Sequence, residues 1–477
     1  MRSLASALLP LLPLLFSACG DDGAGTTDTT LPEVDIPQLE VDVADTAETS
    51  ETTPIDTTPD STDTAAPDTT APDTSADTTP ADTTTPDTTA DTSDTGPTDT
   101  TSPDTTADTA SDADTVKPNC VTLPADHTRH IVISRPYSEN GTPSLVWEVY
   151  PVLNDGTLGA RTDTFELGAA GRAVGGKVAF TDDGALAMAY HDRGEVSVFA
   201  IDGDGGARVI QPATDLGPYV GGIVIHGDDV FLVDGNWQNN GGGIYHTTLG
   251  CDGSLGAITM AYPTKLAYAL EVRGAANNVE HLVMAKEAVD TTTGHVHRVQ
   301  QAGAGWSRMG ALDIFGDNEA MTSSMAVTPD WRYVLVADNS EFSNIPNRIG
   351  VATVEPLAAR QTLTPFDDPY DMVMSPYGDA VLVVLGYANR VTVLRHDPQN
   401  TTTPFTNAGP PTFVTQVPQL PSEAVRLHGD LEDLVYVVEN TALRVFRFNG
   451  DGTVTDLGRQ IFGEGLTSIP GAIGAQP

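Results

Sequence analysis

Beyond Asn119 the chain is a succession of short apolar runs, each cut off by Gly, Asp, Asn or Pro, and no apolar pattern of helical period persists. The runs group into a repeating unit. Its clearest copy is Val178-Ala179-Phe180, the turn Thr181-Asp182-Asp183-Gly184, then Ala185–Tyr190, Glu195–Ile201 and a second turn Asp202-Gly203-Asp204-Gly205. Met372–Met374, Ser375-Pro376-Tyr377-Gly378, Ala380–Leu385 and Arg390–Leu394 repeat it, as do Met325–Asp330 with Tyr333–Ala337, Gly222–Ile225 with Val230–Val233, and Ala424–Leu427 with Leu434–Val438. Weaker copies begin near Ile131 and Ala269.

Starts recur about every 45–55 residues, a period of propeller blades. The turn between first and second strands uses Asp-Gly, Pro-Asp or Tyr-Gly chemistry. A second family of turns, Asn154-Asp155-Gly156, Cys251-Asp252-Gly253 and Asn449–Gly452 among them, falls between third and fourth strands. The pattern predicts an all-β, seven-bladed propeller of four-stranded blades over residues 118–477, because a lone four-stranded sheet must stack on neighbours to bury both faces. The ring must close. The C-terminal piece Gly465–Ile473 is the expected innermost strand of the first blade, with Val121–Leu123 the competing candidate.

Before Asn119 the pattern is different. Arg2 followed by the apolar run Leu4–Phe16 has the form of an export signal over residues 1–18, too short to span a bilayer and interrupted by Pro10 and Pro13. Residues 19–117 are built largely of Thr, Asp, Pro, Ala and Ser, with Pro-Asp-Thr-Thr repeated at Pro67, Pro86 and Pro103 and no aromatic residue between Phe16 and Tyr137. Such a segment cannot bury enough apolar surface to offset its ordering entropy, so a disordered tether is expected, about 50–60 Å across as a flexible coil.

Composition sharpens this division. Residues 1–117 contain only Arg2 and Lys117 as bases and carry over half of the net charge of −43. With no basic stretch anywhere, nucleic acid and anionic membrane surfaces are repelled, and a soluble, monomeric head is expected. The three cysteines divide the same way. Cys19 ends the signal, and an exported chain would allow Cys120 and Cys251 to form a disulfide.

Leu15-Phe16-Ser17-Ala18-Cys19 resembles the bacterial lipobox, with Phe16 where Leu is usual. The resemblance implies cleavage before Cys19 and a lipid on its thiol. Gly20 in place of Asp favours the outer membrane or cell surface of a Gram-negative bacterium. The blades resemble YVTN and lactonase-type seven-bladed propellers, most directly at Ser375–Gly378 and at Tyr333–Asn339. That resemblance implies a fold shared by catalytic and non-catalytic proteins.

Chemistry is expected where second strands end around the central channel. The candidate channel-mouth residues are Arg135, His191, Asp234, Asn236, Glu287, Asp338, Glu341, Asn389 and Glu439. Their carboxylates and amides would suit Ca²⁺ or Mg²⁺, and His191 with Arg135 could do acid–base or oxyanion work, although no cofactor is required. His295 and His297 have the i, i+2 spacing that puts two imidazoles on one strand face as metal ligands. Trp237 in the Gly/Asn-rich loop Trp237–Gly243 could stack on a sugar or peptide. No Gly-x-Ser-x-Gly, phosphate loop, Cys-x-x-Cys or His-Glu-x-x-His occurs. The expectation is therefore a lipid-anchored envelope protein displaying a propeller for a small-molecule, glycan or protein ligand. A lactonase-like hydrolase is the alternative.

Overall fold

The computed structural model describes residues 120–477 except 173–175, 236–241, 276–277, 287–293, 317–319, 340–346, 387, 389, 409–412, 415–421 and 464. The chain divides into units Met1–Ser111 and Asp112–Pro477, and every described residue belongs to the second. The signal, Cys19 and the tether lie outside the described residues.

Seven antiparallel sheets form a seven-bladed β-propeller. The inner strands are Ile473–Ala475 in blade 1, Val178–Phe180 in blade 2, Val220–His226 in blade 3, Ala267–Ala275 in blade 4, Thr322–Val327 in blade 5, Pro369–Met374 in blade 6 and Ala424–Arg426 in blade 7. Each blade has four strands. Blade 6 also pairs Phe413–Val414 with its third strand.

The second strands explain the ring. Leu186–Tyr190 is buried at every position: Leu186, Met188 and Tyr190 face blade 3, whereas Ala187 and Ala189 face blade 1. A strand buried on both sides reads as a continuous apolar run, and the outer strand Ala207–Thr214, half in solvent, alternates. Seven apolar clusters follow, one at each blade interface. The cluster joining blades 7 and 1 contains Ile131, Tyr436 and the C-terminal Ile473, so closure buries the last pair of faces.

Turn chemistry sets strand lengths. Thr181 and Ser375 carbonyls accept from the amides of Gly184 and Gly378 at 2.8 and 3.0 Å, and both glycines have φ of 69°, which disfavours a side chain. These turns lie on what we term the lower face, and inner strands begin at the upper face.

Closure uses the C-terminus, but the closing strand overlaps the expected stretch Gly465–Ile473 only at Ile473, and Leu466–Ser468 is a 3-10 turn. Ile473–Ala475 pairs with His130–Tyr137, and Gln476 bonds to His130 and to the carbonyls of Gly184 and Ile201. The run beginning near Ile131 is therefore the second strand of blade 1, not its first. Val121–Leu123 joins no sheet; the Val121 amide donates to the Cys251 carbonyl, and its side chain packs between blades 2 and 3. Cys120 is disulfide-bonded to Cys251, Cα atoms 4.8 Å apart, so the bridge ties the entry segment to blade 3. That segment crosses the lower face, with Leu123 near Gly184, Pro124 and His127 near Gly203, and Arg129 paired with Asp430.

Candidate functional site: the central channel

The described candidates at the ends of second strands are bound within their own surroundings. Arg135 is buried, with Nε 2.5 Å from Glu148, Nη2 donating to Tyr150 Oη and Nη1 to the Ser468 carbonyl, and its guanidinium lies 4.3 Å from the Phe462 ring centroid. His191 is buried edge-on to Trp147. Its Nδ1 lies 3.2 Å from the Ala170 carbonyl, which can only accept, so Nδ1 carries the proton and Nε2 accepts from Ser197 Oγ at 3.0 Å. Burial lowers its pKa, holding it neutral. Asp338, fully buried, accepts from Arg348 Nε at 2.8 Å and from the Met321 amide. Glu439 is clasped by Arg444 and Arg459, yet burial still raises its pKa. Asp234 is buried opposite Val220 and Gly243 at its sheet end.

These groups do not form the expected convergent mouth. Arg135–Glu148, Asp338–Arg348 and Glu439–Arg444 are clasps between second and third strands, because second-strand side chains point into blade interfaces. Asn236, Glu287, Glu341, Asn389 and Trp237 lie outside the described residues. His295 and His297 do not meet either. His295 lies 3.1 Å from Asp313 and edge-on to Phe315, whereas His297 contacts Tyr262 Oη at 3.1 Å. Among the described residues no three His, Cys, Asp or Glu side chains come together as a metal site.

The channel wall belongs to the inner strands, and its chemistry centres on Lys177. Lys177 immediately precedes the inner strand of blade 2, and its Nζ is 2.7 Å from Asp371 Oδ2 on blade 6 and 3.8 Å from Glu423 Oε2 on blade 7. Asp371 is further fixed by Ser324 Oγ at 2.8 Å and the Ala424 amide at 2.9 Å, so blades 5, 6 and 7 hold one carboxylate in place. The Lys177 side chain keeps 43 % of its surface accessible, against 6 % and 7 % for its partners, as expected for a cation on the wall of a channel.

The electrostatics follow from that enclosure. Burial opposes the Lys177 charge, but attraction to Asp371 and Glu423 holds its pKa above the usual range. Burial, then repulsion from Asp371, raises the Glu423 carboxyl to about 8 against the pull of Lys177 and Arg172. Glu271, on the inner strand of blade 4, is raised by burial to about 7. Arg172 lies 5.6 Å from the Tyr190 ring centroid and shares its surroundings with Tyr268 and Tyr370. Burial raises both Tyr190, to about 12, and Tyr370, so both phenols keep their protons. The upper channel therefore gathers two cations, neutral hydroxyl donors, aromatic faces and carboxyls that can hold or release a proton near neutrality.

Sequence reasoning missed these residues by seeking chemistry at second-strand ends. A usable signal was present: Lys177, Glu271, Asp371 and Glu423 are charges within or directly before inner strands, where a packed wall would carry small or apolar side chains.

Fold and site together define a seven-bladed β-propeller with an ionisable central channel. No family model and no curated sequence matches the chain. Among solved structures it is similar to a candidate 6-phosphogluconolactonase of Bacteroides uniformis, with a TM-score of 0.54 and 12 % identity, covering 73 % of this chain and 99 % of that one. It is also similar to a candidate 6-phosphogluconolactonase of Bacteroides fragilis, with a TM-score of 0.52 and 13 % identity over 74 % and 99 % of the two chains. At such identities the likeness establishes the fold alone.

Proposed function

We propose that this is an exported envelope protein, lipid-anchored through Cys19, whose propeller binds a small polyhydroxylated ligand in the upper channel. The carrying observation is the cluster of Lys177, Asp371 and Glu423 beside Arg172, Tyr190, Tyr268 and Tyr370. Hydroxyls of a sugar-like ligand would find donors and acceptors on every side, and its carbon face would find aromatic rings. The entry segment occupies the lower face, leaving the upper mouth free of it.

A second reading, lactone hydrolysis, is favoured by the Glu423 carboxyl poised at about 8 beside a cation, and by the fold likeness to candidate 6-phosphogluconolactonases. Ionised Glu423 would take a proton from water as its oxygen attacks the carbonyl carbon. Lys177 and Arg172 would stabilise the developing oxyanion, and the proton would pass to the departing ring oxygen as the carbon–oxygen bond breaks.

Calorimetric titration with aldonic acids and their lactones, beside a lactone-hydrolysis assay, separates these readings. Binding without turnover, weakened at least about tenfold by Glu423→Gln, supports the binding propeller. Turnover reduced about 100-fold or more by Glu423→Gln supports hydrolysis. Neither binding nor turnover overturns both.

A further inference from the structure

Below Lys177 the channel opens into a second chamber of different chemistry. A cavity of about 430 Å³ runs from Lys177 to Asp182, His428 and Pro477 at the lower face, within the size range of small-molecule sites. Its wall is apolar. Ile223 and Ile225 of blade 3 and Val425 of blade 7 are only half-buried, packing one side into the blade interfaces and turning the other to the cavity.

One cation in this wall is poorly matched. Among the described residues Arg426 pairs with Glu432, whose carbonyl is 3.4 Å and carboxylate 3.9 Å away, and its side chain is half-buried. Burial lowers its pKa despite Glu432 and Glu271, so the surrounding acids do not offset its desolvation. Lys177, the other strong base of the lining, is committed to Asp371 and Glu423. A guanidinium with one long ion pair in the wall of a mostly apolar chamber is suited to an amphiphile with one acidic head.

We propose that the lower cavity binds a medium-chain carboxylate, its chain along Ile223, Ile225 and Val425 and its head group on Arg426. This site is distinct from the proposed upper-channel site: the two meet at Lys177, and the lower cavity supplies an extended apolar wall.

The test is calorimetric titration of the full chain with sub-micellar decanoate, decanol and gluconate. Decanoate should bind once per chain, and decanol at least about tenfold more weakly, because the charge-assisted contact is lost. Gluconate should not compete with decanoate. Arg426→Gln should weaken decanoate by a similar factor. Ala179→Phe, which adds a ring to the cavity wall, should abolish it. Far-UV circular dichroism checks that each variant folds, and if Arg426→Gln does not, Ala179→Phe decides. Equal affinity for decanol, decanoate binding that survives in the folded variants, or no binding up to about 1 mM overturns the proposal.

Discussion

Burial acts on Glu423 against its own neighbours: Lys177 favours the carboxylate, yet enclosure and Asp371 raise the group to about 8. An unfolded glutamate titrates near 4.5. Between these values the folded state keeps a proton that the unfolded chain has lost, so this contribution to stability falls as pH rises. Glu271 acts in the same sense up to about 7. Buried histidines act oppositely below 6.5. His281, lowered by burial to about 4, and His191, also lowered by burial, make the fold less stable as pH falls. The two trends compete below 6.5, and the carboxyl trend stands alone of the two above it. Glu423→Gln cannot ionise, so its melting temperature relative to the native protein should rise steadily from pH 5 to pH 8.5 in calorimetric scans. A flat difference would show that the carboxyl titrates normally.

Among elements, the closing strand joins the two ends of the ring. Ile473–Ala475 supplies the inner strand of blade 1, and Ile473 belongs to the cluster between blades 7 and 1. Gln476, fully buried just after it, joins His130 of blade 1 to carbonyls of blade 2. Gln476→Ala leaves those groups without their partner and should cost about 1–3 kcal/mol, read as a lower denaturation midpoint with an unchanged slope. Deleting residues 472–477 should remove the cooperative melt, because two blade faces would then be exposed. A truncated chain that still melts cooperatively near the native temperature would show that the ring does not depend on this closure.

For the whole molecule, the proposed design is a lipid, a charged tether and a rigid ring entered from its lower face. Metabolic palmitate labelling of cells expressing the protein should be lost in Cys19→Ala, with that variant recovered in soluble fractions. Labelling unaffected by the substitution would leave the propeller exported by another route. The ring itself should be insensitive to this change, since the described contacts that hold it lie within residues 120–477.

The blade count and the strand and turn order were legible along the chain because they are local. Continuous apolar runs mark strands buried on both faces, and Thr181–Gly184 or Ser375–Gly378 marks the turn beside them. The inner strand of blade 1 lies more than 300 residues away from Ile131, so its partner followed from the need to close the ring and not from any local signal, and its bounds were set a few residues too early. The site was legible only as isolated charges. Lys177, Asp371 and Glu423 are spread over half the chain, and only ring closure sets blades 2, 6 and 7 around one axis. Strand pattern thus determined the architecture, because burial acts on neighbouring residues. Tertiary structure decided which polar groups are clasps and which line the channel, because that depends on the direction each side chain takes once the sheets are stacked.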